Sequence, residues 1–330
     1  MIKFHIADKG TLYSGPPDLG HPVPPEVLWI DICSPTKDEE AELEKALGLD
    51  IPTREEISEI EQTSRLYRSN GLLYMTAVII ARANSLAPTT VPVTFIATPE
   101  RVITVRYDTP TSFEIFQARC EKRTVEIASA SDVLTGLLGT IVDRAADILE
   151  LVGADLEALN REIFLYTGAK AKNPNRKQPQ RRNLEEVIGD VGRSHDVVFR
   201  IRESLQSLER LFVFLRNNGA PWPDETERQV AALEEDVRSL SEFDGFLSNK
   251  VEFMLDATLG LVGIQQNGII KIFSVIAVVF MPPTLVASIY GMNFEHMPEL
   301  RWLLGYPWAL FLMLLSAICP YLFFRWRGWL

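Results

Sequence analysis

Histidine and cysteine are scarce in this chain, with four and three in 330 residues. Cys33, Cys120 and Cys319 are too widely spaced, and odd in number, for a disulfide framework or a zinc site. His5, His21, His195 and His296 have no partner at metal-ligand or triad spacing, and no Gly-rich phosphate loop is present, so neither an enzyme constellation nor ATP-driven transport is expected. The opening Met1-Ile2-Lys3-Phe4-His5 lacks the apolar run of a cleavable signal, so the front of the chain is expected to stay in the cytosol. A net charge of −11 argues against nucleic acid as a partner. That charge is unevenly spread. Only four of the 33 bases and two of the 44 acids fall in residues 271–330, which leaves a net −13 on the first 270.

What replaces charge in the last sixty residues is hydrocarbon. Residues 272–290 and 306–324 contain no Lys, Arg, Asp or Glu, and each approaches the roughly 20 apolar residues needed to cross a bilayer as a helix. A buried core hairpin is the alternative. Trp302, Trp308, Trp326 and Trp329 stand at the segment ends, as in an interfacial aromatic belt, and favour the membrane. Lys271 precedes the first span, and Arg325 and Arg327 follow the second. The positive-inside rule then places both termini in the cytoplasm.

The front divides in two. Up to about residue 122 the pattern is mixed, with strands expected at 27–30, 72–80, 94–97 and 101–105 and helices at 35–47 and 53–63, so this part is read as an α/β domain. From about residue 129 only helical periodicity remains, over 133–166, 183–216 and from 224 onward, with breaks at 168–180 and 217–223. The expected organisation is an α/β N-terminal cytosolic domain (1–122), a helical hairpin region (123–223), a stalk helix (224–271), a first span (272–290), a connection (291–305), a second span (306–324) and a basic tail (325–330).

Nothing but Pro282-Pro283 interrupts the last cytosolic helix between 226 and 290, and at about 1.5 Å per residue it would reach on the order of 100 Å. Along it Asn267, Ile270, Ser274, Ala277, Met281, Thr284, Ser288 and Gly291 recur at steps of three and four, the seam of a coiled coil. Small and weakly polar groups on such a seam suit close packing of helices. They equally suit the lining of a wet path, where hydroxyls and amides stand in for water around an ion. On the second reading Ile270 and Met281, with Phe273 slightly off the seam, are apolar constrictions. The two prolines remove amide donors in mid-span, which a wet lumen, a neighbouring helix or a simple kink accommodates.

After the span comes Tyr290-Gly291-Met292-Asn293-Phe294, then Met297-Pro298-Glu299-Leu300. This signature, in the loop of a C-terminal two-span hairpin, resembles that of the CorA family of magnesium and cobalt transport proteins, and the resemblance runs the length of the chain. It implies a funnel-shaped homopentamer whose first spans line a pore for Mg2+, with Co2+ and Ni2+ as further cargo, in the inner membrane. Gly291, Met292 and Asn293 would form the outer selectivity ring, Gly291 allowing the backbone turn and close approach of subunits; a bare Gly-Met-Asn would otherwise read as a helix C-cap. Pore positions of the family fall on Asn267, Met281 and Thr284, and on Ile270 and Phe273 in character. A regulatory Mg2+ site would join Asp256 to Glu55 and Glu56, although Glu56 stands where the family has a shorter Asp and ordinary surface acids look the same in sequence.

Of the remaining charges, Glu295 and Glu299 would draw cations to the outer mouth, and Lys271, Arg325 and Arg327 would form a basic collar at the inner one. The basic tip of Lys170, Lys172, Arg176, Lys177, Arg181 and Arg182 suits anionic lipid headgroups or a solvated turn. Mg2+ is expected as cargo and regulatory ligand, with no cofactor. Two rivals stay open: a related proton-coupled zinc transporter, and a membrane-anchored Mg2+ sensor that conducts nothing.

Overall fold

A computed structural model describes the chain except residues 9–10, 16–22, 60–64, 84, 86–87, 169–183, 219–222, 293–296, 299–301 and 328–330. Two compact units are present, Met1–Leu255 and Asp256–Leu330.

The first unit is built on a seven-stranded sheet. Its strands are β1 (Ile2–Asp8), β2 (Thr11–Gly15), β3 (Val27–Cys33), β4 (Leu66–Ser69), β5 (Leu72–Ala81), β6 (Thr89–Ala97) and β7 (Val102–Arg106). They lie in the order β2-β1-β3-β7-β6-β5-β4, with β3 and β7 parallel and the other neighbours antiparallel. β3, β5 and β7 are apolar almost without interruption because both faces of the sheet are covered. Alternation sorts their side chains. Ile30, Ile32, Ile96, Ile103 and Val105 meet Leu43 and Ile57 of two short helices, α1 (Lys37–Leu47) and α2 (Arg54–Ile57). On the opposite face Trp29 packs near Phe113 and Phe116 of α3 (Thr111–Glu121).

Local chemistry sets the ends of α1 and α2. Thr36 and Glu39 form a capping box at the start of α1, and Gly48, at φ 67°, ends it in the left-handed conformation that glycine adopts without penalty. Thr53 and Glu56 form a second box for α2. The sequence suggests a helix over 53–63, but α2 stops after four residues at Ser58, whose amide and hydroxyl both fold back onto Arg54 O; residues 60–64 lie outside the described part. Three strands and α3 are additions to the sequence reading. The clearest missed signal is Asn70-Gly71, both at positive φ between β4 and β5, a dipeptide that favours a two-residue hairpin turn.

Two long helices follow, α4 (Ala130–Gly168) and α5 (Leu184–Asn217), and then α6 (Asp224–Tyr290), which begins in the first unit and ends in the second. Helix α5 is tied on two sides. Towards the sheet, Ser207 Oγ accepts the Val78 amide at 2.8 Å, beyond the point where β4 stops pairing with β5, and Thr90 Oγ1 donates to Glu203 at 3.0 Å. This covers an otherwise open strand edge. Towards α6, Arg202 Nε donates to the buried Asp244 carboxylate at 2.8 Å and its Nη2 bonds Ser248, while Arg216 pairs with Glu234 at 3.0 Å. Burial raises the Asp244 pKa, and the Arg202 guanidinium opposes that shift.

A buried polar knot sits between β3 and β7. Asp31 takes Arg106 Nε at 3.0 Å, Arg106 Nη2 at 2.8 Å and Thr104 Oγ1 at 2.8 Å. Arg106 Nη1 goes on to Asp108 O and Thr109 Oγ1, and the guanidinium lies 4.8 Å from the Phe113 ring. Nearby, His5 stacks on Trp29 at 4.0 Å with Nδ1 3.1 Å from Ser14 Oγ, and its buried Nε2 finds no partner among the described residues. Burial holds its pKa down to about 4, with the Asp31 charge pulling the other way.

The unfolded chain therefore takes up a proton at His5 below about pH 6.5 while the folded chain does not until about pH 4. Stability is fully present above that window and falls through it on acidification, at up to about 1.4 kcal/mol per pH unit. We expect the urea midpoint of the first unit to drop between pH 7 and pH 5, and His5→Phe to flatten that slope; an equal slope in the variant would remove His5 from the account.

The second unit consists of the end of α6 and α7 (Gly305–Trp326), two helices long and apolar enough to cross a bilayer. Only 6% of each apolar window is buried by the rest of the chain, which excludes the buried core hairpin.

Candidate functional site

Within the second unit α6 has two distinct faces. Val275 is buried, and Val279, Pro282, Pro283, Val286 and Tyr290 are half-buried, recurring at helical spacing. Helix α7 carries a matching stripe of covered or half-covered residues, Gly305, Ala309, Leu312, Met313, Ser316 and Pro320. These stripes are where the two helices cover one another. Gly305 and Ala309 are the buried members of that stripe.

The seam lies on the other side of α6. Asn267, Ile270, Ser274, Ala277, Met281, Thr284, Ser288 and Gly291 are all exposed, as is Phe273. Ile270, Phe273 and Met281 are 60%, 68% and 69% exposed, so the most apolar members are not covered by their own chain either. At 100° per residue the seam and the covered stripe point in nearly opposite directions. One face of the helix is thus used for packing within the chain. The polar face is left for water or for another copy.

Helix α6 passes through Pro282-Pro283 without a break. The missing amides are those that would have reached the Val278 and Val279 carbonyls. One turn on, Thr284 Oγ1 donates to Phe280 O at 2.8 Å. With its proton committed to the backbone, the Thr284 oxygen on the exposed seam keeps its lone pairs for accepting. That is the polarity a cation or its hydration shell requires.

The helix ends at Tyr290, with Gly291 N bonding Ala287 O at 2.9 Å and Met292 N bonding Ile289 O at 3.2 Å. Gly291 is not at positive φ, so the turn does not require glycine for its backbone angles. What the missing side chain avoids is a Cβ 3.2 Å from Ala287 O. Asn293, Glu295 and Glu299 lie outside the described residues, as does the basic tip at 170–182. Lys271 is exposed on α6, and Arg325 and Arg327 are exposed at the end of the α7 segment, Arg327 lying 5.8 Å from the Phe323 ring.

The three carboxylates expected to regulate fall in different units, Glu55 and Glu56 on α2 in the first and Asp256 on α6 in the second; all three are exposed. Glu56 already has a task, since one of its oxygens accepts the Thr53 amide at 2.8 Å and the Thr53 hydroxyl at 3.0 Å. Glutamate, not aspartate, is the residue that reaches back across a capping box. Sequence reasoning missed Glu40 and Glu44 of α1. Partial burial raises the Glu40 pKa, and the neighbouring charges of Glu44, Glu56 and Glu55 add to the shift. Among the described residues no three His, Cys, Asp or Glu side chains converge as a metal site.

Comparison with known proteins adds to this geometry. The family profile described as CorA-like Mg2+ transporter protein matches residues 25–326. The chain is 33% identical over 303 residues to the magnesium transport protein CorA of Pectobacterium atrosepticum, covering 92% of both, and 32% identical to that of Escherichia coli K12 over the same length. The complete structure of the CorA magnesium transporter from Methanocaldococcus jannaschii superposes with a TM-score of 0.76 at 19% identity, covering 100% of this chain and 99% of the other.

Proposed function

Because the chain belongs to the CorA family of Mg2+ transporters, a family of membrane proteins and not of enzymes, we propose that it passes Mg2+, and with it Co2+ and Ni2+, through a pore built by five identical copies around the α6 seam. The observation that carries this reading is the exposed polar seam of α6, turned away from the stripe that α7 covers. Water-filled, it offers Asn267, Ser274, Thr284 and Ser288 oxygens along the path, with Ile270, Phe273 and Met281 as apolar constrictions able to exclude water. Mg2+ gives up its waters reluctantly. A ring of neutral Gly291, Met292 and Asn293 groups suits a hydrated ion, held through its water shell and released on the far side.

Both termini lie in the cytoplasm on this reading, with the spans in the inner membrane. Lys271, Arg325 and Arg327 then sit at the inner mouth and meet lipid headgroups, and Glu295 and Glu299 lie outside. Internal Mg2+ bridges Asp256 to Glu55 and Glu56 of a neighbouring copy and holds the ring closed; its loss frees the α6 helices to move. Only the second Glu56 oxygen is free for that bridge while the capping box holds the first.

The test is Mg2+ flux into proteoliposomes containing the purified full chain, with cobalt hexaammine as a mimic of hydrated Mg2+. Flux blocked by the mimic supports a channel that selects hydrated ions. Zn2+ uptake under a proton gradient without Mg2+ flux would move the assignment to the zinc transporter, and silence with both ions to the sensor. In the same vesicles Asp256→Ala is expected to weaken inhibition by internal Mg2+ several-fold, on the order of the 1–3 kcal/mol typical of coupling between sites. Unchanged inhibition would remove Asp256 from the regulatory site.

A further inference from the structure

The connection between the spans ends in a tight turn of unusual chemistry. Gly305 N closes it onto Trp302 O at 3.1 Å, and α7 begins at once. Trp302, Leu303 and Leu304 are 59%, 103% and 71% exposed. Three consecutive apolar side chains thus radiate from one turn, while Gly305 behind them is buried. A turn facing water ordinarily carries Gly, Asn, Asp or Ser, and a helix start ordinarily carries a side-chain cap. Here Leu304 occupies the cap position and makes no capping hydrogen bond.

Leaving two leucines in water forgoes the stabilisation that burying them would bring. The patch is continuous with the membrane-facing surface of α7: Tyr306, Trp308 and Leu310, exposed in turn after it, lead directly into the span. Trp and Tyr favour the headgroup boundary, where an apolar body and a polar tip are both satisfied.

From this we infer that the Trp302–Leu304 turn is a lipid-inserted wedge, seated in the boundary between headgroups and acyl chains at that end of the spans. The inference rests only on the two helices crossing a membrane, and not on conduction.

A nitroxide at Leu303→Cys tests it in vesicles of phosphatidylcholine with a minority of phosphatidylglycerol. Cys33→Ser and Cys319→Ala remove the accessible thiols, and the buried Cys120 is retained. Collision with oxygen, which partitions into lipid, is compared with collision with a water-soluble nickel chelate. Labels at Leu310, in the span, and at Phe199, exposed on α5, supply the lipid and water references. We expect Leu303 to share the oxygen-dominated ratio of Leu310. A chelate-dominated ratio like that of Phe199 would make the turn an ordinary aqueous loop. Low collision with both reagents would mean that protein, such as a neighbouring copy, covers it; either result overturns the wedge. Flux in the same samples is read separately, so a failed channel and a failed wedge are distinguishable.

Discussion

Asn293→Ala is expected to lower Mg2+ flux by at least about 100-fold, the equivalent of roughly 3 kcal/mol, and to abolish block by cobalt hexaammine. In the proposed ring Asn293 would accept hydrogen bonds from the water hydrogens of a hydrated Mg2+, and hydrogen bonds to a charged shell are worth about 1.5–3 kcal/mol each. Alanine removes every side-chain acceptor at that level in all copies at once. Asn293→Asp separates acceptance from charge. It keeps the shape and adds a ring of anions, so the mimic should bind more tightly while throughput falls, because an ion held too well is slow to leave. Wild-type flux and block in the Ala variant would place selection elsewhere on the seam, with Thr284 and Ser288 next in line.

The second large effect concerns folding. Asp31→Ala is expected to cost the first unit about 3–5 kcal/mol, read as a fall in the urea midpoint of the full chain in detergent. Asp31 and Arg106 are 4% and 6% exposed, and the carboxylate receives three of the hydrogen bonds in the knot between β3 and β7. Taking the acid away leaves a guanidinium buried without its counter-charge and Thr104 without its acceptor. Replacing both members, as in Asp31→Ala with Arg106→Met, removes the stranded charge, so the double variant should be more stable than the single one. A single variant within about 1 kcal/mol of wild type, the range of an exposed pair, would show that the knot is wetter than its burial implies.

Both predictions also mark where sequence was sufficient and where it was not. The seam was legible because a helix repeats every 3.6 residues, so Asn267 to Gly291 can be assigned to one face without knowing what surrounds them. The spans were legible because a bilayer imposes length and excludes charge. By contrast Asp31 and Arg106 are 75 residues apart and drew no attention as charges on two short strands. Only the parallel pairing of β3 with β7 makes them partners. Strand β1 escaped for a related reason: its alternation of Ile2, Phe4 and Ile6 is short, and its place depends on β2 and β3 beside it. The helix expected at 53–63 is interrupted after Ile57 and shows the reverse error over its described part. Its start signal, Thr53 with Glu56, is local and correctly read, whereas its stop at Ser58 rests on backbone geometry that no residue type announced.

The sequence by itself determined the class of this protein: a mixed front, long helices, two spans, a polar seam and the Gly-Met-Asn signature. Each of these is written in local periodicity, composition or contiguous residues. The tertiary structure alone decided which face of α6 is used up by α7, that Glu56 is engaged in a helix cap, that α5 is tied to the sheet through Ser207 and to α6 through Arg202, and that Trp302, Leu303 and Leu304 point outward together. Those facts depend on contacts between distant segments or on which side of a turn is covered. A one-dimensional pattern carries the preference of each residue, but only the folded chain reveals which preferences were met and which were left facing something else.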